Sequence, residues 1–230
     1  MIAALIVAAG RGSRLGGPIP KQYRRLGDAP VLRWTVLGLR AHPAVSRVQV
    51  VIHPDDAALY AEAVAGLEMP PVVFGGATRQ ASVRRGLEAL ADVPPEKILI
   101  HDAVRPFVTQ ETIAAVIAAL SHHRAVVAGL PVFDTLKRCA GGIITETLAR
   151  EGIWRAQTPQ GFDFKSLLAA HRALADAGTD LTDDSLVAER AGMKVAMVMG
   201  DEAAFKITTE PDLARAEAFL RGRQTRAHLG

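Results

Sequence analysis

The sequence holds one cysteine, Cys139, so no internal disulfide is available and nothing calls for an oxidising compartment. Aromatic residues make up only 5% of it, and no apolar run approaches the ~20 residues of a membrane-spanning helix. The opening MIAALIVAAG has no basic segment ahead of its apolar run and is not read as a signal peptide. Formal net charge is +3, too small to imply a nucleic-acid surface. The seven histidines lie apart from the cysteine, and His122 and His123 end a helical pattern, which suits a solvated helix terminus better than a zinc site. These absences leave a reduced, cytoplasmic globular protein as the expectation.

What is present is rhythm. Apolar runs at 4–8, 48–52, 71–74, 97–101, 125–132 and 195–200 alternate with amphipathic stretches such as PVLRWTVLGLRAH, RQASVRRGLEALAD and QETIAAVIAALSHH. Strand and helix in alternation predict an α/β protein: a Rossmann-like, doubly wound, mostly parallel sheet with helices on both faces. The 230 residues fit one domain with a substantial core, and 1–230 is read as one. Ligands in such sheets bind at the carboxyl ends of the strands. Residues 133–161 break the rhythm with a Gly-Gly turn and a β-branched run, which predicts a protruding β-hairpin arm. The basic tail, 221–230, reads as a frayed terminus.

The richest segment is the first. Ile2 to Ala9 is a continuous apolar run, as in a strand buried on both faces. Gly10, Gly12, Gly16 and Gly17 follow, with Arg11, Arg14 and Lys21 around them. Such a loop brings backbone N–H groups close to an anion. No Walker string G-x-x-x-x-G-K-[ST] occurs, and the third glycine comes one residue late for a dinucleotide fingerprint. An ordinary strand-to-helix turn is the competing reading. Arg14 and Lys21 tilt it toward a triphosphate.

The string AAGRGSRLGGPIPKQY resembles the start of sugar nucleotidyltransferases, A-A-G-x-G-x-R-[ML] followed by P-K-Q. With GGATRQASVRRGL, HDAVRPF, DTLKR, WRAQTPQGF, LTDDS and FKITTEPDL in order, the chain resembles the 2-C-methyl-D-erythritol 4-phosphate cytidylyltransferases over essentially its whole length. The resemblance implies attack of a phosphomonoester on the α-phosphorus of CTP, with loss of pyrophosphate and with Mg2+ or another divalent cation as cofactor. It implies a homodimer joined through the hairpin arm, with no nucleic-acid or membrane partner. Ribitol 5-phosphate cytidylyltransferases share the loop and fold and are the nearest alternative. A nucleotide-binding regulator without catalysis is a second.

By that resemblance, Arg14, Lys21, Arg150 and Lys206 are the expected catalytic residues. CTP would be held by Ala8, Ala9, Gly10, Gly12, Gly16, Gly75, Gly76, Arg79, Ser82 and Asp102. Asp102, at the end of the KILIH run, is also the expected metal ligand, directly or through water. The sugar phosphate would meet Arg105, Thr135, Arg150, Thr158, Thr182 and Lys206. Of these, Thr135, Arg150 and Thr158 are expected from the partner's arm, and Thr182 and Lys206 from the subunit that holds CTP. Arg105 is open between gripping phosphate and pairing with a carboxylate. No general base is expected, because a phosphomonoester is mostly dianionic at pH 7, with a second pKa near ~6, so His101 reads as a packed or hydrogen-bonded residue.

Overall fold

The computed structural model describes residues 1–11, 17–175 and 181–229, with side chains through residue 223 in the last segment. Eleven strands and seven α-helices occur among the described residues. The apolar runs become β1 (Ile2–Ala8), β4 (Val45–Ile52), β5 (Val73–Phe74), β6 (Lys97–Asp102), β7 (Ala125–Pro131) and β11 (Val195–Met199). The amphipathic stretches become α1 (Val31–Arg40), α3 (Arg79–Glu88) and α4 (Gln110–Ala119). Between them lie β2 (Arg25–Leu26), β3 (Ala29–Pro30), α2 (Ala57–Ala63), β8 (Leu136–Ala140), β9 (Ile143–Leu148) and β10 (Trp154–Asp163). The chain then runs through α5 (Phe164–Ala173), α6 (Asp184–Arg190) and α7 (Glu210–Leu229), the last taking in residues 221–229 of the basic tail.

The main sheet has seven strands in the order β11-β7-β10-β6-β1-β4-β5. Along β1 the side chains alternate between two cores, because successive Cβ atoms of a strand point to opposite faces. Ala4, Ile6 and Ala8 pack with Leu32 and Val36 of α1 and with Val116 of α4. Ala3 and Leu5 pack on the other face with Val83 and Leu87 of α3 and Leu167 of α5. A strand buried on both faces has no polar positions, which is why 2–8 is apolar throughout. Each fully buried Leu or Ile here contributes roughly 1.5–3 kcal/mol.

β1 pairs in parallel with β4 on one side and β6 on the other. The chain therefore winds outward in both directions from β1, and the crevice beyond its carboxyl end is the switch point where doubly wound sheets hold ligands.

One expectation needs correcting. The hairpin is real, with β8 and β9 antiparallel from Leu136–Leu148 to Ala140–Ile143. Residues 154–161, however, belong to the core and not to the arm. β10 runs antiparallel between β6 and β7, and Phe162 in it is fully buried. The Thr-Pro-Gln string lies at a register break between Ala156 and Gln160, where an interrupted ladder tolerates proline.

Candidate functional site

The loop after β1 is anchored at its root. Gln22, 2% exposed, donates its amide to the carbonyls of Ala8 (2.7 Å) and Gly10 (3.1 Å). Arg11 is held by Asp55 and Asp56 at 2.6 and 2.7 Å. Ala8, Ala9, Gly10 and Lys21 then line one wall of a cavity of about 480 Å³. Gly12, Arg14 and Gly16 lie outside the described residues.

The facing wall is the turn into α3. A Cβ on Gly75 would come within 2.6 Å of the Ala9 methyl and 2.7 Å of Ser82 Oγ, so only glycine lets this turn approach the loop. Gly76 and Arg79 line the cavity. Ser82 lines it too, but its buried hydroxyl accepts from Gly76 N (3.1 Å) and donates to the Thr78 carbonyl (2.9 Å). Its donor is thus committed to shaping the turn rather than to a ligand, which modifies the expected CTP contact.

A second cavity, of about 190 Å³, adjoins the first and is lined by Arg105, Thr158 and Thr182. Arg79, Asp102 and Lys206 line both. Asp102 ends β6, and its Oδ2 accepts from Lys206 Nζ at 3.0 Å and Arg105 Nε at 3.2 Å. Burial alone would raise its pKa; Lys206, Arg105 and Arg79 outweigh burial and hold the carboxyl well below the usual carboxylate range. Arg105 also donates to the Ala204 carbonyl at 2.8 Å. Of the two roles left open for Arg105, the pairing with a carboxylate is present in the structure.

Arg79 donates to Asp184 Oδ2 at 2.6 Å, and the fully buried Asp184 also meets His171 Nε2 at 3.1 Å. Burial works against both charges, yet the pair keeps the guanidinium pKa raised and the carboxyl pKa lowered. Asp184 lies in the LTDDS string and His171 outside any quoted string, but the role of neither is read from sequence, since the pairing spans α3, α5 and α6.

His101 is fully buried and its pKa is pushed down to about 4, mainly by burial. Its Nε2 is 3.1 Å from the Arg105 carbonyl, which only an N–H satisfies, so Nδ1 accepts from the Thr158 hydroxyl at 3.0 Å. Thr158 Oγ1 in turn accepts from Asp102 N at 3.1 Å. Committed at both nitrogens, His101 is the packed, hydrogen-bonded residue expected. Thr158 is a correction: it sits on the core strand β10, 5% exposed, and serves its own subunit's wall instead of a partner's site. Thr135 and Arg150 border neither cavity. They flank the hairpin, where Arg150 donates to the Phe133 carbonyl.

A divalent cation fits this donor set in one way. Among the described residues no group of three His, Cys, Asp or Glu is poised around a common point, so an all-protein cage is excluded there. Magnesium bound by one or two carboxylates and substrate phosphates needs less. Asp102 supplies one carboxylate, and both of its ion pairs use Oδ2.

The sequence profile of the family described as IspD, 2-C-methyl-D-erythritol 4-phosphate cytidylyltransferase, matches residues 2–222. This chain belongs to that family. Among similar curated proteins, the bifunctional enzyme IspD/IspF of Rhodospirillum rubrum is 55% identical over 96% of this chain and 57% of its own length. Its counterpart in Paramagnetospirillum magneticum is 50% identical over 95% of this chain and 56% of its own length. The chain thus spans a little over half the length of these relatives.

Solved structures agree with the fold. The 4-diphosphocytidyl-2C-methyl-D-erythritol synthase of Anaerococcus prevotii superposes with a TM-score of 0.83 at 30% identity, covering 96% of each chain. The 2-C-methyl-D-erythritol 4-phosphate cytidylyltransferase of Thermus thermophilus gives 0.76 at 35% identity, over 94% of this chain and 98% of that one. Among the described residues no helix is long and apolar enough to cross a membrane.

Proposed function

We propose that this chain, acting as a single nucleotidyltransferase domain in the cytoplasm, transfers the cytidylyl group of CTP to 2-C-methyl-D-erythritol 4-phosphate. The products are 4-diphosphocytidyl-2-C-methyl-D-erythritol and pyrophosphate. The observation that carries the reading is the pair of adjoining cavities with Arg79, Asp102 and Lys206 in their common wall. Two bound substrates would there meet across fixed charge, which suits a displacement at phosphorus.

The larger cavity takes CTP: Ala8, Ala9 and Gly10 with Gly12 and Gly16 around the phosphates, Gly75, Gly76 and Arg79 around the nucleoside. Lys21 and Arg14 neutralise charge on the transferring and leaving phosphates. The smaller cavity takes the sugar phosphate against Thr182 and Lys206. The nucleophile is already a dianion, so the site needs positioning and charge stabilisation instead of a proton acceptor. The buried, committed state of His101 accords with that. Asp102 would hold magnesium, whose chemistry when bound is to draw negative charge from the phosphate oxygens.

The second grip on the sugar phosphate, Thr135 and Arg150, comes in this reading from the arm of a second copy. Phe133, Ile143 and Ile144 are 73, 71 and 59% exposed around that arm. Apolar side chains so exposed on a two-stranded hairpin support burial against another chain.

The test is pyrophosphate release from CTP with magnesium and each polyol phosphate in turn. Release with the erythritol phosphate and not with ribitol 5-phosphate is the expected result. Release with ribitol 5-phosphate alone, or with neither, overturns the reading.

A further inference from the structure

The three residues of the common wall come from distant parts of the chain, and two of them are held through one short segment. Gln157 and Gln160 lie on β10 at 6 and 1% exposure. Each uses both ends of its amide on the backbone or cap of another loop. Gln157 donates to the Asp201 carbonyl at 2.8 Å and accepts from Asp201 N at 3.2 Å. It thereby clamps the start of the loop that carries Lys206. Gln160 accepts from Asp184 N and Ser185 N, both at 3.1 Å, and donates to Asp183 Oδ2 at 2.8 Å. It thereby fixes the first turn of α6, whose Asp184 holds Arg79.

Residues three apart on an uninterrupted strand point to opposite faces. The register break between Ala156 and Gln160 releases this segment from the ladder, and its side chains reach two separate loops. An independent sign of fit is Gly200. A Cβ there would fall 2.1 Å from Gln157 Oε1, so the clamp requires glycine at that position.

We infer that Gln157 and Gln160 are separate positioning residues, Gln157 for Lys206 in the sugar-phosphate half of the site and Gln160, through Asp184, for Arg79 in the CTP half. Both also line the smaller cavity, so they border the sugar-phosphate half of the site as well as holding those loops. The inference rests on the substrate assignment proposed above, and it predicts different kinetic patterns for the two glutamines, which general destabilisation does not.

The experiment is steady-state pyrophosphate release by full-length wild type, Gln157→Met, Gly200→Ala and Gln160→Met, each substrate varied at saturation of the other. A tenfold effect corresponds to about 1.4 kcal/mol, or about 0.7 kcal/mol for each of two lost neutral hydrogen bonds. Gln157→Met and Gly200→Ala are expected to raise KM for the sugar phosphate about tenfold and leave that for CTP within about twofold. Gln160→Met, which frees Arg79 through Asp184 and also Asp183 beside the smaller cavity, is expected to raise KM for CTP about tenfold and that for the sugar phosphate with it. Should a methionine variant not fold, Gln157→Asn or Gln160→Asn, which stay neutral and keep the amide but shorten its reach, are read in the same way. Equal shifts in both constants for Gln157→Met, an unchanged KM for CTP in Gln160→Met, or unchanged constants in a less stable protein, overturn the inference while wild-type turnover leaves the proposed function standing. A wild type that releases no pyrophosphate overturns both.

Discussion

Lys206 Nζ lies 3.0 Å from Oδ2 of Asp102, the same oxygen that Arg105 Nε approaches at 3.2 Å. Two cations on one oxygen of a carboxylate at a strand end form a charge centre that is nearly desolvated yet open to both cavities. Removing Lys206 deletes one charge-assisted bond, typically about 1.5–3 kcal/mol. Lys206→Ala is therefore expected to raise KM for the sugar phosphate roughly ten- to a hundredfold. An unchanged KM for the sugar phosphate would remove Lys206 from that half of the site.

His101 gives the protein an acid-sensitive limb unrelated to its carboxylates. In the unfolded chain its imidazole takes a proton near pH 6.5, whereas in the fold burial holds it neutral down to about pH 4. The unfolded state thus binds more protons in this interval, and stability falls as pH drops from about 6.5 to 4, by about 3 kcal/mol in all. Asp102 and Asp184, with pKa values lowered in the fold, add stability that is present above the ordinary carboxylate range and lost as pH falls below it. Denaturant unfolding at stepped pH checks this. His101→Gln is expected to flatten the limb above pH 4, and a wild-type slope in that variant would show that another group causes it.

Gly86 is where α3 meets the sheet. A Cβ there would lie 2.6 Å from Leu5 Cδ1 and 2.7 Å from Val51 Cγ2, both fully buried in the core. Gly86→Ala is expected to destabilise by about 1–3 kcal/mol, since overpacking outweighs the gain in helix propensity. Thermal melts read this as a Tm lower by several degrees, with both KM values kept. A stabilised variant would mean that α3 can move away freely.

Arg150 makes the dimer testable by mixing. Arg150→Ala is expected to raise KM for the sugar phosphate and leave that for CTP unchanged. If the arm serves the partner, a mixture of Arg150→Ala and Lys206→Ala chains regains one intact site per mixed dimer, about a quarter of wild-type activity after random exchange. No regain on subunit exchange would assign both residues to the same chain's site.

The elements of the sheet were legible because a strand covered on both faces must be apolar along its length, as 97–101 and 125–132 are. The loop residues and Asp102 were legible through their motif strings and their place at strand ends. Residues 154–161 were not, since Pro159 within Thr-Pro-Gln mimics turn chemistry and only the register break at Gln160 reconciles it with a core strand. Gln22, Gln157, Gln160 and Asp184 stand inside the motif strings with no role read for them, and His171 outside them; all act by bonding to distant backbone or side chains. Such contacts leave no periodicity or spacing to read.

The reversed direction of β10 has a consequence for how the molecule can diversify. β7 ends at Pro131 and β10 begins at Trp154, and these two pair directly, closed by a bond from Val132 N to the Ile153 carbonyl at 3.0 Å. Everything between them hangs from the mouth of the crevice on a two-point hinge that the core does not feel. Twenty-odd residues could be exchanged there, changing which acceptor is gripped or which copy grips it, while the nucleotide half of the site stays as it is.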